Sequence, residues 1–218
     1  MTRETGRQTR HSFSFGATYD PDRVTFGPLV ALNDDLLGAG AGYDEHEHAD
    51  VVLVTWVLTG ALAHTDADGT STQQAGDLAI TRAGSGITHS EWAADTVTRF
   101  VQAWLTPGAP GGDPTRTLVT PDLSGGGLVT AATGADLGIP GASLALADLA
   151  GGATVTLPEA PLRYAFVASG ALTRSSLAEP LAAGDAFEIT GEGALDVTAA
   201  VPTQLMVWSF AAPVDGGV

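Results

Sequence analysis

Four side chains stand out for the chemistry their types and spacing allow. His46 and His48 sit in the run Glu45-His46-Glu47-His48, and His89 and Glu91 in His89-Ser90-Glu91. On an extended strand residues i and i+2 share a face, so each pair projects its two groups together. If the two strands adjoin, three imidazoles and one carboxylate converge. Such a set, without sulfur, suits a divalent transition metal with positions left open for water or substrate; Fe(II), Mn, Ni, Cu, Co and Zn are all compatible. The chain has no cysteine. Disulfides, thiolate zinc sites, iron–sulfur clusters and thiol nucleophiles are therefore excluded.

A lone His-x-His on an acidic surface is more often ornament than ligand, and Glu45 and Glu47 could mark a solvated loop. The second pair at the same spacing is what raises a metal centre to the working expectation. Glu47 falls on the opposite face from its neighbours and reads as solvated. His64 lies two residues from Asp66 beside a hairpin turn, and a hydrogen bond within that hairpin accounts for it. His11 precedes any recognisable strand and receives no role. The turn Ala83-Gly84-Ser85-Gly86 is followed by no helix and by no Lys or Arg close behind it, so it reads as structural rather than as a phosphate loop.

The elements that must position these groups are short strands. Val51–Leu58 reads as a buried strand, followed by Ala61–Thr65, Leu78–Arg82, Ile87–Trp92 and Val97–Leu105. Asp68-Gly69 is a strong hairpin signal, because glycine tolerates the positive φ of a tight turn. Turn signals every eight to twelve residues, with little helical periodicity, predict an all-β fold of sandwich or small-barrel type. Val52, Val54 and Trp56, counted in even steps from His48, are expected to line the barrel interior.

The chain then repeats itself. Gly60-Ala61-Leu62 recurs as Gly170-Ala171-Leu172, Ala75-Gly76-Asp77 as Ala183-Gly184-Asp185, and Trp104 as Trp208, at offsets of 110, 108 and 104. Three matches in one order predict two copies of one β-barrel. The boundaries follow from composition: residues 1–107 form an N-terminal barrel, 108–126 a Pro/Gly-rich linker, and 127–218 a C-terminal barrel. All five histidines fall in the first half, so the second barrel is expected to lack metal ligands.

Composition narrows the partners. Nine arginines and no lysine stand against 25 acidic residues, for a net charge of −16 over 218 residues. That balance repels phosphate backbones and anionic membranes, so no direct nucleic-acid or membrane partner is expected. The longest apolar stretch, Val51 to Ala63, is broken by Thr55, Thr59 and Gly60, short of the roughly 20 residues a spanning helix needs. The first ten residues lack the apolar core of a secretory signal. A cytoplasmic monomer is the expectation.

At these residues the chain resembles the pirin family, two-domain members of the cupin superfamily. The resemblance rests on His11-Ser12-Phe13-Ser14-Phe15-Gly16, Phe26-Gly27-Pro28-Leu29, Gly42-Tyr43 with His46-x-His48, and Gly60-x-Leu62-x-His64-x-Asp66. Gly76-Asp77 and Gly84-Ser85-Gly86-Ile87-Thr88-His89-Ser90-Glu91 complete it. It covers residues 10–107 closely and the second half more loosely. The resemblance implies two tandem cupin-type β-barrels, a bicupin with little helix. It also implies a metal in the N-terminal barrel on His46, His48, His89 and Glu91, with Fe(II) the first expectation, and a degenerate C-terminal barrel. The chain departs from the family pattern at Glu47-His48-Ala49-Asp50 and at Val52, where a Glu is common, which implies a more apolar pocket.

Some pirin-like proteins resemble quercetinases, so the first functional expectation is a metal-dependent flavonol dioxygenase acting on a flat aromatic substrate. Glu91, the only carboxylate in the expected ligand set, would then be the catalytic proton acceptor. The alternative is a metal-dependent regulatory protein that docks on a transcription factor or metabolic enzyme without catalysis. A third reading is a bicupin in which the metal only staples the barrel.

Overall fold

The structure, a computed structural model, describes residues 1–14, 19–94 and 96–212. Phe15 and Gly16 of the first matching segment, and 213–218 at the end of the second expected domain, lie outside the described residues. The chain divides into two compact units, Met1–Pro121 and Asp122–Val218.

The first unit carries β1 (Thr2–Glu4), β2 (Arg7–His11), β3 (Leu29–Leu37), β4 (Gly42–His48), β5 (Val52–Thr59), β6 (Ala61–Asp66), β7 (Gly69–Gln74), β8 (Leu78–Arg82), β9 (Ile87–Ala93), β10 (Thr98–Leu105) and β11 (Thr115–Val119). They form a seven-stranded sheet, β1-β2-β3-β10-β5-β8-β11, and a four-stranded sheet, β4-β9-β6-β7. Leu37, Val57 and Phe100 of the large sheet pack with Leu62 and Ala93 of the small one, so the two sheets share an interior. The small sheet is made by turn chemistry. Asp66 pairs with Gly69 across the hairpin that joins β6 and β7, and Gly69 sits at φ 114°.

The second unit carries β12 (Val129–Thr133), α1 (Gly134–Leu137), β13 (Ser143–Leu149), β14 (Thr154–Leu157), β15 (Leu162–Ser169), β16 (Ala171–Leu172), β17 (Leu181–Ala182), β18 (Ala186–Thr190), β19 (Leu195–Thr198) and β20 (Thr203–Phe210). A five-stranded sheet, β12-β13-β20-β15-β18, faces the pairs β14–β19 and β16–β17. The four-residue α1 is capped by Thr133, whose amide and hydroxyl both donate to Asp136.

The internal repeat is visible atom by atom. The Thr98 hydroxyl clasps the Ala61 backbone, accepting from its N–H at 3.1 Å and donating to its C=O at 2.9 Å. Thr203 makes the same two bonds to Ala171 at the same distances. Gly60 and Gly170 precede these clasps with φ of 77° and 80°. A Cβ on either would stand 2.6 Å or less from the threonine hydroxyl and closer still to a backbone carbonyl, so only glycine fits.

Two expectations are corrected. The stretch 108–126 is not all linker: residues 115–119 pair with β8 and extend the large sheet, and Gly112 accepts from Ser85. Pro and Gly crowd 107–114, whereas Thr115–Val119 has strand-forming residues that composition averaged over the whole stretch conceals. The match of Trp104 with Trp208 also fails. Counting from the two clasping threonines, Trp104 corresponds to Ser209. Trp104 shares the inner face with Phe100 and Gln102, while Trp208 is one step out of phase with the inward Leu205 and Val207.

Candidate metal centre

The small sheet brings the ligand-type residues together by register. His46 stands opposite His89, and His64 opposite Glu91, on strands flanking β9. Tyr43 also stands opposite Glu91, although it precedes His46 by three residues and simple alternation would put them on opposite faces. A register shift at Asp44–Glu45 resolves this: the bulge inserts one extra residue and turns both side chains inward. The bulge also frees the Asp44 carbonyl, to which His46 Nδ1 donates at 2.7 Å. That bond fixes the His46 proton on Nδ1 and leaves Nε2 with its lone pair bare.

The rings of His46, His48 and His89 lie 4.5 to 5.1 Å apart, centroid to centroid. One nitrogen from each falls within 4.8 Å of the others. His64, His89 and Glu91 form a second, overlapping group at the same limit, all three buried. Thus the structure assembles His46, His48 and His89 as a trio, and places Glu91 with His89 and His64. Gln102 Nε2 donates to the Glu91 carboxylate at 3.0 Å and to Thr55 at 3.1 Å, and its amide oxygen accepts from Trp104 Nε1 at 2.9 Å.

Electrostatics prepare these groups as ligands. Burial pushes His89 down to about 4, with the neighbouring imidazoles adding to the effect against the pull of Glu91. Burial and the His46 ring lower His48 as well. Burial alone would raise Glu91, but His64, His89 and Gln102 outweigh it and hold the carboxyl below its ordinary value. Near neutral pH His48 and His89 are therefore neutral and Glu91 is ionised, the states a divalent cation requires.

Residues 1–105 match the family model described as Pirin. A Mycobacterium bovis protein, provisionally named a quercetin 2,3-dioxygenase, is 40% identical over 219 residues, covering 93% of this chain and 88% of its own. The chain belongs to the pirin family. A protein named quercetin 2,3-dioxygenase from Escherichia coli is 40% identical over 100 residues, 44% of this chain and 43% of its own. The bacterial pirin YhhW of Escherichia coli, solved in complex with nickel(II), shares the fold with a TM-score of 0.87 at 24% identity, over 97% of this chain and 95% of that one.

A pirin metal fits the residues present, on one observation in particular. His89 Nε2 is buried and has no hydrogen-bond partner. A buried, unpaired ring nitrogen is costly unless something fills its lone pair. His46 and Glu91 line a cavity of about 450 Å³ together with Arg7, Tyr43, Gln102 and Trp104. Trp104 meets the His48 ring edge-on at 4.8 Å, and Arg7 lies 4.2 Å over the Tyr43 ring.

Alternation alone misplaces part of this lining. Val52, Val54 and Trp56 do not face the cavity; they are buried on the other side of β5, while Thr55 and Val57 point inward. The chain between β4 and β5 turns at Asp50, at φ 53°, so counting by twos from His48 does not carry across. The cavity is lined instead by polar, charged and aromatic side chains, among them Arg7, Tyr43, Glu91, Gln102 and Trp104. Glu47 is exposed, as its position on the strand implies. His64 does bond Asp66 at 3.1 Å, but it is also buried against His89, which the hairpin reading missed. His11 belongs to β2, bonds Asn33 at 2.8 Å and lines the same cavity. Gln102 and Trp104, two apart on β10, repeat the i, i+2 signal that marked the ligands and could have been found by it.

The second unit fills the corresponding positions with hydrocarbon. The Leu172–Ala199 bridge matches the Leu62–Ala93 pair, so His89 and Glu91 correspond to Leu195 and Val197, His46 to Leu157, and Gln102 to Val207. All four belong to one apolar cluster.

Proposed function

We propose that the N-terminal unit holds one divalent transition metal on His46, His48, His89 and Glu91, and is a dioxygenase of quercetinase type acting on a flat, hydroxylated aromatic. The unpaired Nε2 of buried His89, whose ring lies 4.5 Å from that of His46, carries this reading; His46 and Glu91 in turn line the 450 Å³ cavity. The names of the relatives support the substrate class. Fe(II) is the metal first expected, and nickel, named in the YhhW complex, is compatible with the same donors.

A bound metal would supply Lewis acidity and redox contact between O₂ and the substrate's vicinal oxygens. The chain supplies the remainder. Glu91, ionised and held by Gln102, accepts the proton of the substrate hydroxyl at a carboxylate oxygen. Tyr43 and Trp104 give the cavity its aromatic walls, and Arg7, the cation on its lining, offers charge to an ionised hydroxyl. Burial of His89 and Glu91 keeps bulk water from the reacting side.

The test is elemental analysis of protein purified without chelator, followed by aerobic incubation with quercetin. About one metal per chain, loss of the flavonol absorption band with loaded protein, and none after chelation are expected. Loaded protein that leaves the band unchanged would refute the dioxygenase. His89→Ala should abolish stoichiometric binding, and retention of a full equivalent would refute the ligand set.

A further inference from the structure

The residues behind the trio form a chain that ends at the surface. Asp66 Oδ1 accepts from the Asp68 amide at 2.9 Å, and Oδ2 lies 3.1 Å from His64 Nε2. His64 Nδ1 lies 3.3 Å from His89 Nδ1, and His89 Nε2 is the buried atom without a partner. His64 is 3% exposed and Asp66 about a quarter, at 26%. Asp66 lines a second cavity, of about 520 Å³, together with Arg116, which Ser71 and Gln73 hold at 2.9 and 3.0 Å.

Proton placement along this chain is dictated from its outer end. An ionised carboxylate can only accept, so His64 turns an N–H on Nε2 toward Asp66. The Asp68 amide, His64 and Arg116 hold Asp66 in that ionised form. A singly protonated His64 then offers Nδ1 as an acceptor; Glu91 Oε1, 4.0 Å away, is beyond hydrogen-bond reach, so His89 Nδ1 donates to His64 Nδ1. A neutral imidazole has one N–H, and His89 Nε2 is left as a bare lone pair.

We propose that Asp66 and His64 are positioning residues for His89, fixing its proton on Nδ1 and its ring orientation so that Nε2 is available to a metal. This rests on the metal reading above for its purpose, but the proton placement stands independently of it. The hairpin turn that shapes β6–β7 is thereby part of the site: the Asp68 amide, at the turn, sets the orientation of Asp66. Partners of this kind typically contribute 10- to 100-fold to metal affinity.

Two measurements test the proposal. In the metal-free chain at pH 8, two-bond ¹H–¹⁵N spectra should show His89 protonated on Nδ1 with a lone pair on Nε2. In His64→Leu the two forms should mix, and Ni(II) affinity, read by competition with a chromophoric chelator, should fall about 10- to 100-fold. His64→Gln, whose amide oxygen can accept from Nδ1, should stay within a few-fold of wild type. Asp66→Ala, at a partly exposed position, probes the same chain should His64→Leu not fold, and should also mix the two forms. A wild-type His89 protonated on Nε2 overturns the proposal. So does undiminished Ni(II) affinity in His64→Leu, or equal and complete loss in the Leu and Gln variants, which would make His64 itself a ligand. A wild-type chain that binds no Ni(II) but shows the expected His89 form would sink the metal reading and leave the proton placement standing.

Discussion

Replacing Asp35 with asparagine should stabilise the protein at pH 8 and do little at pH 4. Asp35 is 1% exposed, and burial raises its carboxyl from 3.8 to about 6, even though Thr9 and Tyr43 donate to it and pull the other way. The charges of Glu91 and Asp34 add to the rise. Both donors reach the same atom, Oδ1, Tyr43 at 2.6 Å. An amide oxygen can accept both bonds without bearing charge. The folded carboxyl keeps its proton more tightly than the unfolded one. Its contribution is thus fully present below pH 3.8 and lost as pH rises through about 6. At pH 8 the ionised form costs about 3 kcal/mol relative to an unburied carboxylate. The stability difference between Asp35→Asn and wild type should therefore grow by about 2–3 kcal/mol from pH 4 to pH 8. Urea unfolding of chelator-treated protein measures it, read by fluorescence because three of the four tryptophans (Trp56, Trp92 and Trp104) lie in the first unit. A difference that stays flat with pH would mean that Asp35 ionises as an ordinary carboxyl, and the reasoning from burial would be wrong.

Arg99 grips buried Asp34 through Nε and Nη2 at 2.8 and 2.9 Å, so Arg99→Met should cost about 3–5 kcal/mol, much of it restored by adding Asp34→Asn; denaturation of the single and double variants checks this. Gln102→Leu strips the donor from buried Glu91 and the acceptor from Trp104 Nε1, and should cost about 2–3 kcal/mol in metal-free protein by the same titration. Gly60→Ala combines a positive φ with a Cβ 2.5 Å from the Val97 carbonyl and should cost more than about 2 kcal/mol, seen as a drop in Tm; an unchanged Tm would show that the clasp yields.

Much of the first unit is legible in its sequence because local patterns carry it. The strands read from alternation and turn residues, Leu78–Arg82 among them, fall within one residue of β5, β6, β8, β9 and β10. The i, i+2 spacing of His46, His48, His89 and Glu91 is a local signal too, and strand pairing brings it into one place. What stayed hidden depends on partners remote in the chain. Asp34 and Asp35 make β3 look like a loop, and their burial makes sense only with Arg99, 65 residues on, and with Thr9, 26 residues back. His64 looked fully explained by Asp66 because its second neighbour, His89, is 25 residues away. The phase of β5 was lost at one residue, Asp50, whose positive φ no composition rule predicts.

The same clasp, glycine and turn recur in both units while Leu157, Leu195, Val197 and Val207 replace His46, His89, Glu91 and Gln102. What closes the fold is thus separable from what fills it. The hydrocarbon interior has no charge state to lose and no lone pair to satisfy, so acid or a chelator finds nothing to act on there. The imidazoles of this protein are confined to one half of its length, and the other half records how the same scaffold stands without them.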